Sequence, residues 1–392
     1  MNKTIIKGDK VIWMITLFFA ITSLLVVYSS TETLAFQNKT TTERLLLKQA
    51  IVMLCGIGLL YFAHTLKYVY YSRISQFLMI LAGAFLLMTF FVAPEINNAQ
   101  RSLRFTLPIV GQISFQPSDL AKLAMMIFIA RFLSKNNTQK MGFKEMFLKI
   151  GLPLFIITLL IIRFNFSTAF LLFGVSIVFL FIGKVKIKHL SYLILIAVAG
   201  LGMIILIGLI KPEVFPRAKT WVNRVSAFSM SSEKEEPNVQ IVHSEIAIAQ
   251  GGLFGKMPGK STQRIFLPLA FSDYVYAIII EEYGLVGGFT VLLLFTALLF
   301  RSIKIARRCQ MKFGGFLVVG ISLMLVCQAL FNMLVAVNLA PVTGQPLPFL
   351  SMGGTSFWFS CISIGIILSV SRSLELDYKQ QYSEDLLANG SE

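Results

Sequence analysis

Long, unbroken apolar runs constrain the fold of this chain more than any other feature of its sequence. They lie near residues 10–31, 46–65, 74–94, 118–134, 147–163, 167–184, 189–210, 273–300, 315–338 and 350–371. A run of about 20 apolar residues can cross the hydrocarbon core of a bilayer as a helix. Strands of a membrane barrel would alternate apolar and polar residues, and these runs do not. The sequence therefore predicts an all-α integral membrane protein with about ten transmembrane helices.

The composition agrees with a membrane protein. Of the 392 residues, 56% are hydrophobic and only 14% are charged, which is outside the range of soluble globular domains. In a soluble protein the net charge of +16 would suggest a nucleic-acid partner. Here the Lys and Arg residues lie in short clusters between apolar runs, which is the pattern of the positive-inside rule. We therefore expect no nucleic-acid partner.

The charge pattern also predicts the orientation and the domain organisation. With the N-terminus inside, the short cytoplasmic connections collect many of the Lys and Arg residues, so both termini are expected in the cytoplasm. One outer connection, between helices 7 and 8, is far longer than a linker needs to be. We expect one membrane domain over residues 1–392, with a transmembrane core over 10–372, a large extracytoplasmic loop over 211–272 and a cytoplasmic tail over 373–392.

The large loop combines two kinds of sequence. Its polar part, SSEKEEPN, is followed by an apolar stretch with scattered Gly and Pro, which predicts a half-helix and a re-entrant loop at the membrane surface. Irregular backbone at that depth implies that it lines a cavity. His243 stands alone in the loop, and Cys55, Cys309, Cys327 and Cys361 are far apart, so the sequence predicts no metal site and no role for the cysteines.

One cluster of ionisable residues lies in 97–122, where Asp119 and Lys122 begin a helix. Three positions apart, they share a helix face and can pair with each other. Asp119 can also favour the positive end of the helix dipole. The alternative is that both side chains face a polar cavity, because ionisable groups in membrane helices usually do.

A second cluster begins at Asp273, at the start of the eighth apolar run. A carboxylate at the rim of an apolar cavity can abstract protons. The alternative is an N-cap, a role that Ser272 could also fill. For Glu281 and Glu282, about two turns deeper, polar contacts inside the helix bundle are favoured over a transport pathway.

Five sequence patterns, in this order, resemble the SEDS family (shape, elongation, division and sporulation). The family patterns are A-x-R, Q-P-S-E-x-x-K, Q-x-x-x-S-x-x-A-I-x-x-G-G-L-x-G, L-P-x-x-x-T-D-F-I-F-A-x-x-x-E-E-x-G and P-x-T-G-x-P-L-P-F-I-S-x-G-G-x-S. The matching segments here are 99–101, 116–122, 240–255, 267–284 and 341–356. The last pattern, read from the residues alone, is a re-entrant turn built on prolines and glycines.

The resemblance implies a glycosyltransferase that polymerises lipid II, the undecaprenyl-pyrophosphate-linked disaccharide-pentapeptide, into glycan strands. Asp273 matches the family's loop aspartate and is the expected general base. Fixed cations are expected to stabilise the pyrophosphate leaving group, with a divalent ion such as Mg or Mn as a further candidate. The cationic candidates are Arg101, Lys122, Lys256 and Arg264, and the other expected substrate contacts are Gln116, Ser118, Gln240 and Ser244.

The resemblance also implies partners and a location. The expected partners are a class B penicillin-binding protein, which is the transpeptidase that cross-links new strands, and other division proteins. The segment 341–356 is more similar to the division branch of the family than to the elongation branch. We therefore expect the protein to lie in the cytoplasmic membrane at the division septum. Three alternatives stay open: an elongation-branch polymerase, a lipid II flippase or other transporter, and a scaffold that recruits the transpeptidase.

The sequence departs from the family at several positions. The family's Pro-Asp-x-Gly-Thr-Ala element appears at 164–169 with Asn165 in place of the acid, so a role that needs a charge there is not expected. Asp119 replaces a longer glutamate, Ser102 stands where tryptophan is usual, and Leu269 stands where many members have glutamate. Substrate contacts near these positions are expected to differ.

Overall fold

The fold is given by a computed structural model that describes residues 7–30, 41–92, 103–107, 111–210, 239–267, 272–352 and 354–389. The helices are α1 (Lys10–Ser30), α2 (Thr42–Thr65), α3 (Val69–Val92), α4 (Pro117–Lys135), α5 (Phe143–Ile162), α6 (Phe166–Ile182), α7 (Ile187–Ile210), α8 (Val239–Gly251), α9 (Val275–Arg308), α10 (Lys312–Ala336) and α11 (Gly354–Asn389). The strands are β1 (Leu103–Leu107) and β2 (Gly111–Phe115).

The helices confirm the predicted all-α membrane fold. Within the described residues, eight are long and apolar enough to cross a membrane: α1, α2, α3, α5, α7, α9, α10 and α11. The apolar helix α6 is shorter, and α4 carries Asp119, Lys122 and Arg131. Together they account for the ten predicted segments, and the chain is a multi-pass membrane protein.

The core lies around α4 and α10. Almost every residue of α4 from Pro117 to Leu133 is buried, and 67% of the span of α10 is buried, against 11% for α7. Helix α4 packs against α3 and α10, α11 packs against α2, and α9 packs against α10. The polar residues of α4 are therefore held in the middle of the bundle, whereas α7 lies at its periphery.

Two helices contain breaks that the apolar pattern did not predict. Helix α5 includes a π-helical turn at Phe147–Gly151, which ends two positions before Pro153. Proline has no N–H to donate, so the regular hydrogen-bond ladder is interrupted there. Helix α9 is broken at Gly284, whose φ of 70° and ψ of −173° are not helical. The break divides α9 into a short first part and a long second part.

The segment 103–115, directly before α4, contains an antiparallel hairpin that was not predicted. Leu103 lies opposite Phe115 and Leu107 lies opposite Gly111. The alternating pattern in LRFTL is the signal that predicts a strand. Helix α11 continues to Asn389, beyond its apolar span, which ends at Leu376, and the predicted cytoplasmic tail over 373–392 stays a prediction. The polar part of the predicted loop, 231–238, lies outside the described residues.

Candidate functional site

The segment after α8, residues 252–267, is here called the strap, and it lies against the break in α9. Backbone N–H groups of Lys256 and Met257 donate to the carbonyls of Glu281 and Glu282, at 2.9 and 3.0 Å. In the reverse direction, the N–H of Leu285 donates to the carbonyl of Gly252 at 2.9 Å. The break frees the backbone groups of α9 that receive these bonds, and α8 supplies the predicted half-helix.

Glu281 is fully buried beneath the strap. Its Oε1 lies 3.0 Å from Nζ of Lys256 and accepts a hydrogen bond from the N–H of Thr262 at 2.9 Å. The hydroxyl of Ser261 donates to its other carboxylate oxygen. An ion pair and several hydrogen bonds together satisfy a charge that would be costly alone in this environment.

Glu282 joins the strap to the end of α1. Its carboxylate accepts a hydrogen bond from the hydroxyl of Ser29, and Nη1 of Arg264 donates to the carbonyl of Ser29 at 2.9 Å. The interpretation of Glu281 and Glu282 as polar contacts inside the bundle is therefore confirmed. Lys256 and Arg264 lie with these carboxylates, and their predicted contacts with a pyrophosphate stay predictions.

Asp273 lies two residues before α9 and is partly exposed. The hydroxyl of Ser272 donates to its Oδ1 at 2.9 Å. The N-cap of α9 is Tyr274, which makes no side-chain capping bond, so the alternative reading of Asp273 or Ser272 as the N-cap was wrong. Asp273 thus presents a carboxylate at the surface of a well-ordered polar cluster.

The backbone on both sides of Asp273 is bound by side chains from distant parts of the chain. Oγ of Ser351 donates to the carbonyl of Ser272 at 2.6 Å. Nδ2 of Asn332 donates to the carbonyl of Asp273 at 2.9 Å and to the carbonyl of Gln345 at 2.7 Å. The site therefore combines the start of α9, the end of α10 and the loop before α11.

Lys122 and Asp119 form a buried ion pair on α4, with 2.7 Å between Nζ and Oδ1. Their predicted pairing is confirmed. Nζ of Lys122 also donates to Oε1 of Gln328 at 2.7 Å, while Oδ2 of Asp119 has no partner among the described residues. Both line a narrow cavity of about 30 Å³, large enough for a water molecule, with Ser360 on its wall.

The other predicted contacts hold elements of the fold together. Nε2 of Gln116 donates to the hydroxyl of Ser118 at 2.9 Å, just before α4. The hydroxyl of Ser244 is buried and donates to the carbonyl of Ala336 at 2.7 Å, which ties α8 to the end of α10. Gln240 is half-buried in the first turn of α8. Arg101 lies outside the described residues, so its predicted role stays a prediction.

Asn165 is the N-cap of α6, a role that a neutral side chain can fill. Its Oδ1 accepts a hydrogen bond from the N–H of Thr168 at 3.2 Å. Asparagine is as good an N-cap as aspartate. Nε2 of Gln345 donates to the hydroxyl of Thr168 at 3.0 Å, which connects α6 to the loop before α11.

Sequence reasoning missed Gln328, Asn332 and Ser351 as parts of the site. The two amides are four positions apart on an otherwise apolar helix, so they share one face, and this was a usable signal. Ser351 carried no signal of its own apart from the family pattern.

Among the residues that the structure describes, no group of three or more His, Cys, Asp or Glu side chains could hold a metal ion. The expected divalent ion stays a prediction.

Comparisons with known proteins show which family the chain is similar to. A family model described as "Cell cycle protein", named for FtsW, RodA and SpoVE, matches residues 9–376. Stage V sporulation protein E of Bacillus subtilis is 31% identical over 369 residues, which cover 93% of this chain and 97% of that protein. A probable peptidoglycan glycosyltransferase FtsW of Geobacter sp. strain M18 is 30% identical over 368 residues, which cover 93% and 96%.

Two solved structures have the same fold. A chain from a peptidoglycan synthase complex that coordinates polymerization and crosslinking matches with a TM-score of 0.71 and 20% identity, covering 94% of this chain and 98% of that one. The rod shape determining protein RodA of Thermus thermophilus matches with a TM-score of 0.62 and 22% identity, covering 95% and 98%.

Proposed function

The chain belongs to the family of cell cycle proteins that contains FtsW, RodA and SpoVE, and on that basis we propose that it polymerises lipid II with Asp273 as general base. As a peptidoglycan glycosyltransferase it would extend glycan strands on the outer face of the cytoplasmic membrane. One observation carries the assignment of the base: Asp273 presents a partly exposed carboxylate on a backbone that is held on both sides.

The chemistry requires a base and a cation. A sugar hydroxyl attacks the anomeric carbon of the donor, and a new glycosidic C–O bond forms as the C–O bond to the pyrophosphate breaks. The proton of that hydroxyl passes to the carboxylate of Asp273. Lys122, together with Arg101, would offset the negative charge that develops on the departing lipid pyrophosphate. Lys256 and Arg264 are the second pair of candidates for this contact.

The proposal includes partners and a cellular place. A class B penicillin-binding protein is the expected partner, because a chain of the same fold occurs in a complex that coordinates polymerization with crosslinking. Several similar proteins are named FtsW, which supports the cell-division branch. The proposal is that the protein acts at the division septum with other division proteins and has both termini in the cytoplasm.

The test is polymerisation of lipid II by the purified full-length protein together with its penicillin-binding protein. Asp273→Asn should abolish polymer formation because the amide cannot accept the proton, while lipid II binding and the thermal unfolding midpoint stay at wild-type values. Glu245→Gln is the matched control, since Glu245 is an exposed carboxylate on α8 that accepts a hydrogen bond from Nδ2 of Asn338. It should polymerise normally.

Two results would contradict the proposal. Polymerisation by Asp273→Asn at the wild-type rate would show that another group is the base. Transfer of lipid II across a vesicle membrane with no polymer under any condition would favour the flippase alternative.

A further inference from the structure

We infer that Ser351 and Asn332 are positioning residues that together fix the backbone of Asp273 and so aim its carboxylate. This inference rests on the proposed role of Asp273 as general base. Neither side chain need touch the substrate, since both act through the peptide groups of the base.

The two bonds restrain Asp273 from both sides. The carbonyl of Ser272 belongs to the peptide group before Asp273, and the carbonyl of Asp273 belongs to the peptide group after it. Ser351 binds the first at 2.6 Å and Asn332 binds the second at 2.9 Å. With a hydrogen bond on each neighbouring peptide group, the two backbone dihedral angles of Asp273 are restrained, whereas its side-chain torsions stay adjustable.

Both donors lie in a dry environment where hydrogen bonds are strong. Ser351 is 3% exposed and Asn332 is 1% exposed. Water competes little for a donor that is buried in this way, and a buried donor that loses its acceptor is left unsatisfied at a cost in free energy. The pair can therefore hold Asp273 more firmly than exposed polar contacts could.

Both donors are tied to the loop between α10 and α11: Ser351 lies in it, and Asn332 on α10 binds the carbonyl of Gln345 there. The N–H of Leu347 donates to Oγ of Ser351 at 2.8 Å, which orients that hydroxyl toward Ser272. In the same loop Phe349 has a φ of 66°, a strained conformation for a bulky residue, and its ring packs between those of Phe19 and Phe357. The loop thus keeps a strained shape through close packing beside the base.

Helix α10 links this arrangement to the buried cation. Gln328 lies one turn before Asn332, and its Nε2 donates to the carbonyl of Pro346 at 3.1 Å. Its Oε1 accepts from Lys122 at 2.7 Å. The two amides of one helix therefore bind the consecutive carbonyls of Gln345 and Pro346, so that α10 sets the separation of Asp273 and Lys122. Catalysis needs that separation because the base and the leaving group act on the same anomeric centre.

The experiment compares Ser351→Ala with Ser322→Ala in the full-length protein, with lipid II as substrate. Ser322 is also a buried serine that donates to a backbone carbonyl, that of Val319 on α10, but it does not contact the site. Ser351→Ala should lower kcat by about 10- to 100-fold, as expected when a reacting group is misplaced by a fraction of an ångström to an ångström. KM should stay at the wild-type value, and Ser322→Ala should not change kcat.

A second pair tests the other donor and guards against misfolding. Asn332→Leu should also lower kcat with KM unchanged, whereas Gln49→Leu, which removes a buried amide between α2 and α1, should not. A wild-type kcat for both site variants would overturn the inference. So would a loss of kcat that only parallels a lower unfolding midpoint and a raised KM. If Asp273→Asn is inactive while Ser351→Ala and Asn332→Leu are fully active, only the positioning role fails; if Asp273→Asn is active, the proposed function fails first.

Discussion

At the residue scale, the buried ion pair between Asp119 and Lys122 is a costly feature of the bundle. Removing two charges from water is costly, and a buried pair is often no more stabilising than well-packed apolar side chains. Most of the polar atoms of this pair have hydrogen-bond partners, since Lys122 also binds Gln328. Oδ2 of Asp119 has no partner among the described residues. A polar cluster of this cost is easier to explain by function than by stability.

Single and double replacements separate those two roles. Asp119→Leu should lower the free energy of unfolding by about 3–5 kcal/mol, because it leaves Lys122 charged and unpaired in the core. The double variant Asp119→Leu/Lys122→Met should recover most of that loss, yet it should not polymerise lipid II. The measurements are thermal unfolding in detergent and the polymerisation assay. Full activity in the double variant would mean that the pair is only structural.

At the scale of elements, the break in α9 decides where the strap can lie. Gly255 and Gly284 both have positive φ, and their backbones approach the partner segment closely. A methyl group on Gly284 would lie 2.1 Å from the carbonyl oxygen of Leu253, and one on Gly255 would lie 2.2 Å from that of Glu282. Only glycine fits at these two contacts, since any Cβ would push the strap away from α9.

Gly284→Ala should therefore detach the strap. We expect a loss of about 1–3 kcal/mol, because the φ and ψ of Gly284 lie in a region that essentially only glycine adopts, with the overlap against Leu253 adding to it. Limited trypsin digestion should then cut faster after Lys256, Lys260 or Arg264. Gly58→Ala is the control, because a Cβ at this glycine of α2 would meet nothing within 4 Å. Equal cutting of both variants would argue that the glycine contact does not hold the strap.

At the scale of the whole molecule, contacts place the N-terminal segment beside the ends of two late helices. Nη2 of Arg301, near the end of α9, lies 2.6 Å from Oδ2 of Asp9. The N–H of Gly8 donates to Oε2 of Glu375 on α11 at 2.9 Å. Residues 8 and 375 therefore lie on the same side of the bundle, as the predicted orientation with both termini in the cytoplasm requires.

Cysteine labelling tests which side of the membrane this is. Lys260 in the strap and Lys186 before α7 are both exposed. In spheroplasts, a membrane-impermeant maleimide should label Lys260→Cys at once and Lys186→Cys only after the membrane is opened, each in a background where the native cysteines are replaced. The reverse pattern would invert the topology and place Asp273 in the cytoplasm, where it could not extend an external glycan.

The sequence by itself determined the helices. A run of about 20 apolar residues is stable in the bilayer, where its backbone N–H and C=O groups must bond to each other, and this holds for any arrangement of the rest of the chain. It also determined the pairing of Asp119 with Lys122, since residues three apart on a helix are neighbours. Asp273 came from the family resemblance rather than from its local sequence, where an N-cap was an equally simple reading.

Only the tertiary structure decided how Asp273 is held. Ser351 lies 79 positions after Ser272, whose carbonyl it binds, and Asn332 lies 59 positions after Asp273. Gln328 lies 206 positions after its partner Lys122. Local sequence cannot specify such pairs. A polar group that is buried in a membrane bundle needs a partner, but the residues around it in the sequence do not say which residue that partner is. The break at Gly284 was decided in the same way, by a strap that supplies hydrogen bonds from outside the helix.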